Sequence, residues 1–163
     1  MVKWILTPLI AMVAVAGVGG CGDGQSPTPT GVGLDPALGV MLARAIQDEY
    51  RAETIYQGVL NDFGPVQPFA NELTAEERHS AAVTRLYMSR EQTAPASEWT
   101  VGGVPHFSSI QTACAAGVAA ERDNISMYDE LLRADLPVDV CQVFANNRSA
   151  SLLNHLPAFE RCS

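Results

Sequence analysis

Residues 69–90, FANELTAEERHSAAVTRLYMSR, place a carboxylate and an imidazole where a helix would bury leucine. Glu76 and His79 lie three apart, so on a helix they share a face. Phe69, Leu73, Val83 and Leu86 fall at spacings of three and four around them, which makes that face the apolar one. Burying an unpaired carboxylate costs several kcal/mol or forces its pKa upward. A bound metal cation is one of the few arrangements that offsets both groups together.

The neighbouring segments repeat the pattern. Asp35-Pro36 opens a first helix, with Asp at the cap and Pro at the first helical position. Its stripe runs Leu38, Leu42, Ile46, Glu49, Ala52/Glu53, Tyr56 and Leu60, and Asn61–Pro65 stops it. After the second helix, residues 91–109 form the longest irregular stretch of the domain. About 17 extended residues reach roughly 55 Å, whereas a 21-residue helix is only about 31 Å long. This segment can therefore cross the whole length of a bundle, and His106 within it reads as a surface residue. Ser108 or Ser109 caps a third helix with the stripe Ile110, Cys114, Gly117/Val118, Glu121, Ile125, Tyr128 and Leu132. Leu136-Pro137 makes a turn, and Asp139 caps a last helix reading Cys141, Phe144, Arg148, Ser151/Leu152, His155, Phe159 and Cys162. Pro157 removes one backbone donor there, so a kink or a frayed end is expected. The spacing E-x6-Y occurs at Glu49/Tyr56 and at Glu121/Tyr128, a weak repeat of two helical hairpins. No strand pattern occurs. These observations predict an all-α fold, a four-helix bundle of two up-down hairpins with a long crossover between helices two and three.

The N-terminus is of another kind. MVKWILTPLIAMVAVAGVGGC carries Lys3 as its only charge, followed by an apolar run that ends in small residues. Residues 1–20 read as a secretory signal peptide, too short an apolar run for a comfortable membrane span. Val18-Gly19-Gly20-Cys21 resembles the bacterial lipobox, which implies that Cys21 is lipidated and becomes the mature N-terminus. Residues 21–34, rich in Gly, Pro, Ser and Thr, read as a flexible tether, leaving 35–163 as the folded domain. The expected location is the cell envelope, outside the cytoplasm, with a lipid anchor to the membrane. An anchor on every subunit argues against a closed storage shell; a homodimer stays open.

The whole chain has a formal net charge of −8, and Lys3 is its only lysine. Without Lys3 every remaining cation is an arginine, outnumbered by 18 acids, so no basic patch is left for nucleic acid. An acidic surface suits cation capture, although solubility alone would explain it. Beyond Cys21 there are Cys114, Cys141 and Cys162, with no C-x-x-C pair. In an antiparallel hairpin turning near 136–137, residue 114 lies level with roughly 159. That register pairs Cys114 with Cys162 and leaves Cys141 at the far end as an odd thiol.

Glu49, Glu76 with His79, Glu121 and His155 are thus the inward-facing polar positions of four helices. Carboxylate-bridged di-iron and di-manganese bundles use one Glu from each of two helices and an E-x-x-H from each of the other two. The chain resembles the ferritin-like superfamily, and the rubrerythrins in its Glu49-to-Tyr56 spacing. The runs D-E-Y at 48–50, P-F at 68–69, E-R-H at 77–79 and N-H-L-P-A-F-E-R-C at 154–162 resemble a ferritin-like family of exported prokaryotic proteins of unassigned activity. The resemblance spans residues 36–162. It implies a non-haem iron site of one or two ions that reacts with oxygen or peroxide; manganese and zinc suit the same donors. Glu49 and Glu121 would bridge or terminate, with Glu76, His79 and His155 completing the set. One departure stands out: Leu152 occupies the place three before His155 where E-x-x-H requires glutamate. Glu53, one turn after Glu49, and Glu72, one turn before Glu76, are the candidate substitutes; the alternative is a single metal, or two with open positions. A haem held by His79 and His155 would leave three buried acids unexplained. The second functional reading is a metal-free or metal-stabilised bundle acting as an interaction module of the envelope. The sequence names no electron donor.

Overall fold

The computed structural model describes Cys21 and residues 33–163. The signal peptide expected over 1–20, and the tether from 22 to 32, lie outside the described residues. Among the described residues the structure is all-helical, without a strand: α1 (Pro36–Phe63), α2 (Phe69–Met88), α3 (Ile110–Leu131) and α4 (Val138–Ala150). The fourth helix continues through one π-helical turn, Ser151–His155, into the short α5 (Leu156–Glu160). No described helix is long and apolar enough to cross a membrane.

Local chemistry sets the ends. Asp35 Oδ1 accepts the Leu38 N–H at 3.0 Å, with Pro36 as the first helical residue. Gly64 closes α1 at φ 80°, a left-handed conformation that glycine takes without steric cost. Ser109 caps α3, and its hydroxyl and that of Thr112 accept each other's backbone N–H. Asp139, expected to cap α4, lies instead in its first turn, with Pro137 at the cap. Its carboxylate is held by Arg90 at 2.9 Å. Near Pro157, where a kink or a frayed end is expected, the irregularity falls in the turn just before the proline. The helix takes its extra residue just before the proline and carries on to Glu160.

Side-chain pairs fix the directions of the helices. Glu49 meets Tyr128 while Tyr56 meets Glu121, so α1 and α3 run antiparallel. Arg90 to Asp139 and Glu72 to His155 make α2 antiparallel to the α4–α5 segment. Asn124 to Ser151 and Cys114 to Cys162 do the same for α3. The long connection lies along α1. Gln47 donates to Ala96 O at 2.7 Å and accepts the Glu98 N–H at 3.0 Å, and the Trp99 indole donates to Gln47 O at 3.0 Å. Val104 then passes over Gly58, and His106 reaches Asp62 at 2.7 Å. The connection thus follows α1 from residue 47 to residue 62, about 22 Å of helix, and starts α3 where α1 ends. Two apolar clusters fill the interior. One is built around Leu42, Ile46, Val83, Leu131 and Phe144, the other around Tyr56, Val59, Phe69, Cys114 and Phe159. A polar slab separates them.

Both disulfides join the folded unit. Cys114 and Cys162 are bonded, Cα to Cα 5.8 Å, across 48 residues of sequence; closing a loop that long contributes about 4 kcal/mol by chain-entropy reasoning. Cys141 is not an odd thiol: it is bonded to Cys21, Cα to Cα 5.7 Å. Helices α1 and α4, each antiparallel to α3, run parallel, so the chain leading into α1 and the first turn of α4 share one end. A disulfide sulfur uses both of its covalent bonds, one to Cβ and one to the other sulfur, so it cannot at the same time carry a thioether to lipid. The crosslink to Cys141 and the lipid expected at Cys21 are thus alternative fates of one sulfur.

Two outcomes are expected. Non-reducing peptide maps should link Cys21 to Cys141; an acylated Cys21 with an alkylatable Cys141 would show instead that the lipobox resemblance prevails. At Gly117, a Cβ would sit 2.6 Å from Phe159 Cδ1. Gly117→Ala should lower the unfolding free energy by about 1–3 kcal/mol, read from urea midpoints; an unmoved midpoint would mean that Phe159 does not pack against α3.

Candidate metal centre

Between the two apolar clusters, α1 supplies Glu49, α2 supplies Glu72, Glu76 and His79, α3 supplies Glu121, and the π turn supplies His155. Spacings of four and three put the α2 groups on one face. Glu49, Glu76, Glu121 and His155 are each no more than 2 % exposed.

Glu76 is the hub. Its Oε2 lies 2.8 Å from His79 Nδ1, and its Oε1 lies 3.0 Å from His155 Nδ1. His79 Nδ1 is also 3.5 Å from Glu49 Oε2, and His155 Nδ1 is 3.5 Å from Glu121 Oε2. His155 Nε2 faces Glu72 Oε2 at 3.2 Å. The two rings stack, with centroids 5.3 Å apart. Each outer carboxylate takes a tyrosine from the other hairpin: Tyr56 donates to Glu121 Oε1 at 2.6 Å, and Tyr128 donates to Glu49 Oε1. Seven residues are almost two turns of helix, about 10 Å. A Glu and a Tyr so spaced on α1 therefore meet the Tyr and Glu of antiparallel α3.

Sequence reasoning did not single out the amides around this core. Asn147 Nδ2 donates to the Tyr128 hydroxyl at 3.0 Å and to Glu49 Oε1 at 3.3 Å. Ser151 donates to Asn124, which donates to Asp48. Asn147 rather than Arg148 faces inward, and Arg148 pairs with Asp129 at the edge. The signal was a spacing of 144, 147, 151, 155 and 159. Steps of four outrun the 3.6-residue turn, and only an inserted residue keeps them on one face. That insertion also turns Leu152 outward, to 37 % exposure, so a glutamate at 152 would not complete the site. Glu72 takes up the place beside His155. Glu53 is half-buried with Oε1 unpartnered, and burial first, then the charges of Glu77, Glu49 and Glu76, raise its carboxyl.

Protonation follows from the crowding. Burial, then the charge of Glu76, push the Glu49 carboxyl up to about 7, against the pull of the His79 imidazole beside it. Burial by itself lowers His79, but the adjacent Glu49 and Glu76 carboxylates outweigh that and raise it to about 9. His155 rises in the same way to about 10, through Glu121 and Glu76. Burial would raise Glu76, yet the neighbouring imidazoles of His155 and His79 hold it below the usual carboxylate range. Burial and the facing carboxylates keep Tyr56 and Tyr128 as neutral phenols, able to donate.

The donors suit a metal ion. Glu76, His79 and His155 each offer an atom, and the three atoms lie within 4.8 Å of one another. Glu49 Oε2, Glu121 Oε2 and His155 Nδ1 are buried without an aligned hydrogen-bond partner. His155 Nδ1 is near Glu76 but off the direction a hydrogen bond needs. Unpartnered buried polar atoms of this kind require an explanation, and of the four among the described residues three belong to this cluster, Glu53 Oε1 being the fourth.

Fold and site together define an all-helical protein with a Glu/His cluster in its core that could hold a metal. No family model matches the chain, and no curated protein does. Two solved structures are similar to it. The hypothetical protein MJ0754 from Methanococcus jannaschii DSM 2661 is 21% identical with a TM-score of 0.69, over 83% of this chain and 84% of that one. The conserved hypothetical protein rv2844 from Mycobacterium tuberculosis is 17% identical with a TM-score of 0.65, over 78% of this chain and 98% of that one. At such identities the likeness is one of fold alone.

Without metal, Glu49, His79 and His155 all bind protons more tightly in the folded chain than in the unfolded one. Stability then falls wherever the folded state holds the extra protons. For Glu49 the loss comes as pH rises to about 7, and for the histidines between 6.5 and about 9 to 10. Chelator-treated protein should therefore melt at a lower temperature at pH 10 than at pH 6. A flat profile would show that the imidazoles are neutral throughout.

Proposed function

We propose that the chain is an exported, ferritin-like metalloprotein. Its Glu/His slab holds transition metal, iron foremost, and serves Fe(II) oxidation or the reduction of oxygen or peroxide. The observation that carries the reading is the set of unpartnered buried donors, Glu49 Oε2, Glu121 Oε2 and His155 Nδ1, in one cluster. The antiparallel pairing of α1 with α3 and the connection along α1 support a ferritin-like four-helix bundle with a long crossover.

Glu49, Glu72, Glu76, Glu121, His79 and His155 would hold the metal. Four carboxylates balance two divalent cations when both imidazoles are neutral, which favours a pair of ions over one. Bound iron would supply the one-electron chemistry that these side chains lack. The chain's own groups do the positioning. Tyr128 with Asn147 fixes one oxygen of Glu49, and Tyr56 fixes one oxygen of Glu121, so each second oxygen stays turned inward. The flanking apolar clusters keep bulk water from the slab. Two disulfides suit an oxidising location outside the cytoplasm.

Protein purified without chelator should carry close to two transition-metal ions per chain, as in bundles with this donor set. Glu76→Ala and His155→Ala should empty it, whereas Glu98→Ala in the connection should not. Chelation should lower the melting temperature and metal should restore it, with about 2.7 kcal/mol of stabilisation at a hundredfold excess over Kd. Because the ligands must shed protons, this gain should grow as pH rises, opposite in sign to the metal-free profile. Protein that neither carries nor takes up metal would instead be an interaction module built around a proton-sharing acid cluster.

A further inference from the structure

A surface cleft of about 520 Å³ lies between the start of α2 and the π turn with α5. Its walls include Gln67, Asn71, Asn154 and Arg161, and Glu72 forms part of its lining. Glu72 belongs to the centre as well, since its Oε2 lies 3.2 Å from His155 Nε2. No other group of the cluster lines this cleft. The alternatives for access are narrow: a pocket of only about 10 Å³ between α1 and α3 reaches Glu76 and Glu121, Glu49, Glu76, Glu121 and His155 are no more than 2% exposed, and the side chains of His79 and Glu72 stand at 13% and 11%. We infer that this cleft is the port through which divalent cations reach the centre, with Glu72 as the carboxylate that receives the ion at the mouth and passes it to Glu76 and His155. The inference rests on the metal reading above and adds the route and the residue that serves it.

The chemistry of the walls fits a cation that sheds its water in steps. Gln67, Asn71 and Asn154 offer carboxamide oxygens, hard neutral donors, ahead of the first charged one. Glu72 supplies the place left by Leu152, and it does so from the solvent side of His155 rather than from within the slab. It carries no tyrosine or amide hydrogen bond, unlike Glu49 and Glu121, so its carboxylate can swing between cleft and cluster at little cost. Arg161 is the one cation on the cleft wall and has no ion-pair partner within 4.0 Å among the described residues. A like charge at the mouth slows the approach of a metal ion, and its field is screened by salt.

The test is the rate of Co(II) uptake by the metal-free full-length chain, followed by its visible absorption, and the rate of Co(II) extraction by EDTA. Asn154→Trp places an indole across the cleft from an exposed position. It should slow uptake and extraction alike by about tenfold or more, since the path must open first, with the final stoichiometry unchanged. Arg161→Gln should act in the opposite direction, raising the uptake rate about two- to fivefold at low ionic strength, an advantage that disappears near 0.5 M salt. Equal rates for the wild type and both variants would overturn the port while leaving the centre intact. A wild type that takes up no Co(II) would overturn the metal reading and the port with it. Should the tryptophan variant fail to fold, the surface change at Arg161 decides alone.

Discussion

Glu49, Glu76 and Glu121 share a core that water scarcely reaches, and the rest of the architecture can be derived from what that requires. Two like charges 4 Å apart repel by about 4 kcal/mol at the effective dielectric of a protein, and each buried carboxylate also loses several kcal/mol of hydration. Compensation must come from groups held as rigidly as the acids themselves. Two tyrosines, each on the hairpin opposite its glutamate, donate from within the core. Two imidazoles lie against Glu76, and an asparagine completes the environment of Glu49. The helices must then be antiparallel in a fixed register. A slip of one residue would rotate every glutamate by about 100° and leave its charge without a partner.

The π turn is the price of that register in the last segment. Asn147, Ser151, His155 and Phe159 all face inward. Twelve residues at about 100° each overshoot three full turns by about 120°, so a regular helix could not keep the first and last of them on one face. The wide turn at Ser151–His155 absorbs the excess. It does so beside Pro157, where a backbone donor is missing in any case. Beyond it, Phe159 closes over Gly117 and Cys162 is bonded to Cys114, which is why the segment stays helical to Glu160 instead of fraying.

The parts of this arrangement that follow regular periodicity are legible in the sequence. Glu49, Glu76, His79 and Glu121 stand at inward places on helices whose apolar stripes obey a 3.6-residue repeat, so counting is enough to find them. The E-x6-Y spacing reveals the two tyrosines too, though not that each bonds across to the other hairpin, because that depends on the direction of α3. Counting fails where the repeat itself changes. A regular stripe through α4 points Arg148 and Leu152 inward and hides Asn147, since the inserted residue can be inferred only from the run of four-residue steps. It fails as well for Cys21, whose partner is 120 residues away. The parallel alignment of α1 and α4 brings them together, and a local motif cannot express that alignment.

The two hairpins, alike in their Glu–Tyr pairs, differ in everything added to those pairs. On α1 and α3 each glutamate is fixed through one oxygen by a phenol and is sealed from solvent. On α2 three titratable groups, Glu72, Glu76 and His79, crowd one face, and the opposing segment answers with His155 alone. The related pair makes a rigid frame, because moving either glutamate would strand a buried tyrosine hydroxyl. The unlike pair leaves one acid, Glu72, without such a restraint and next to solvent. In the metal reading proposed above, the two kinds of carboxylate divide the work: fixed oxygens define the site and a mobile one admits what enters it. With Leu152 turned outward and Glu72 beside His155, the carboxylate next to this imidazole stands at the edge of the slab rather than in its interior.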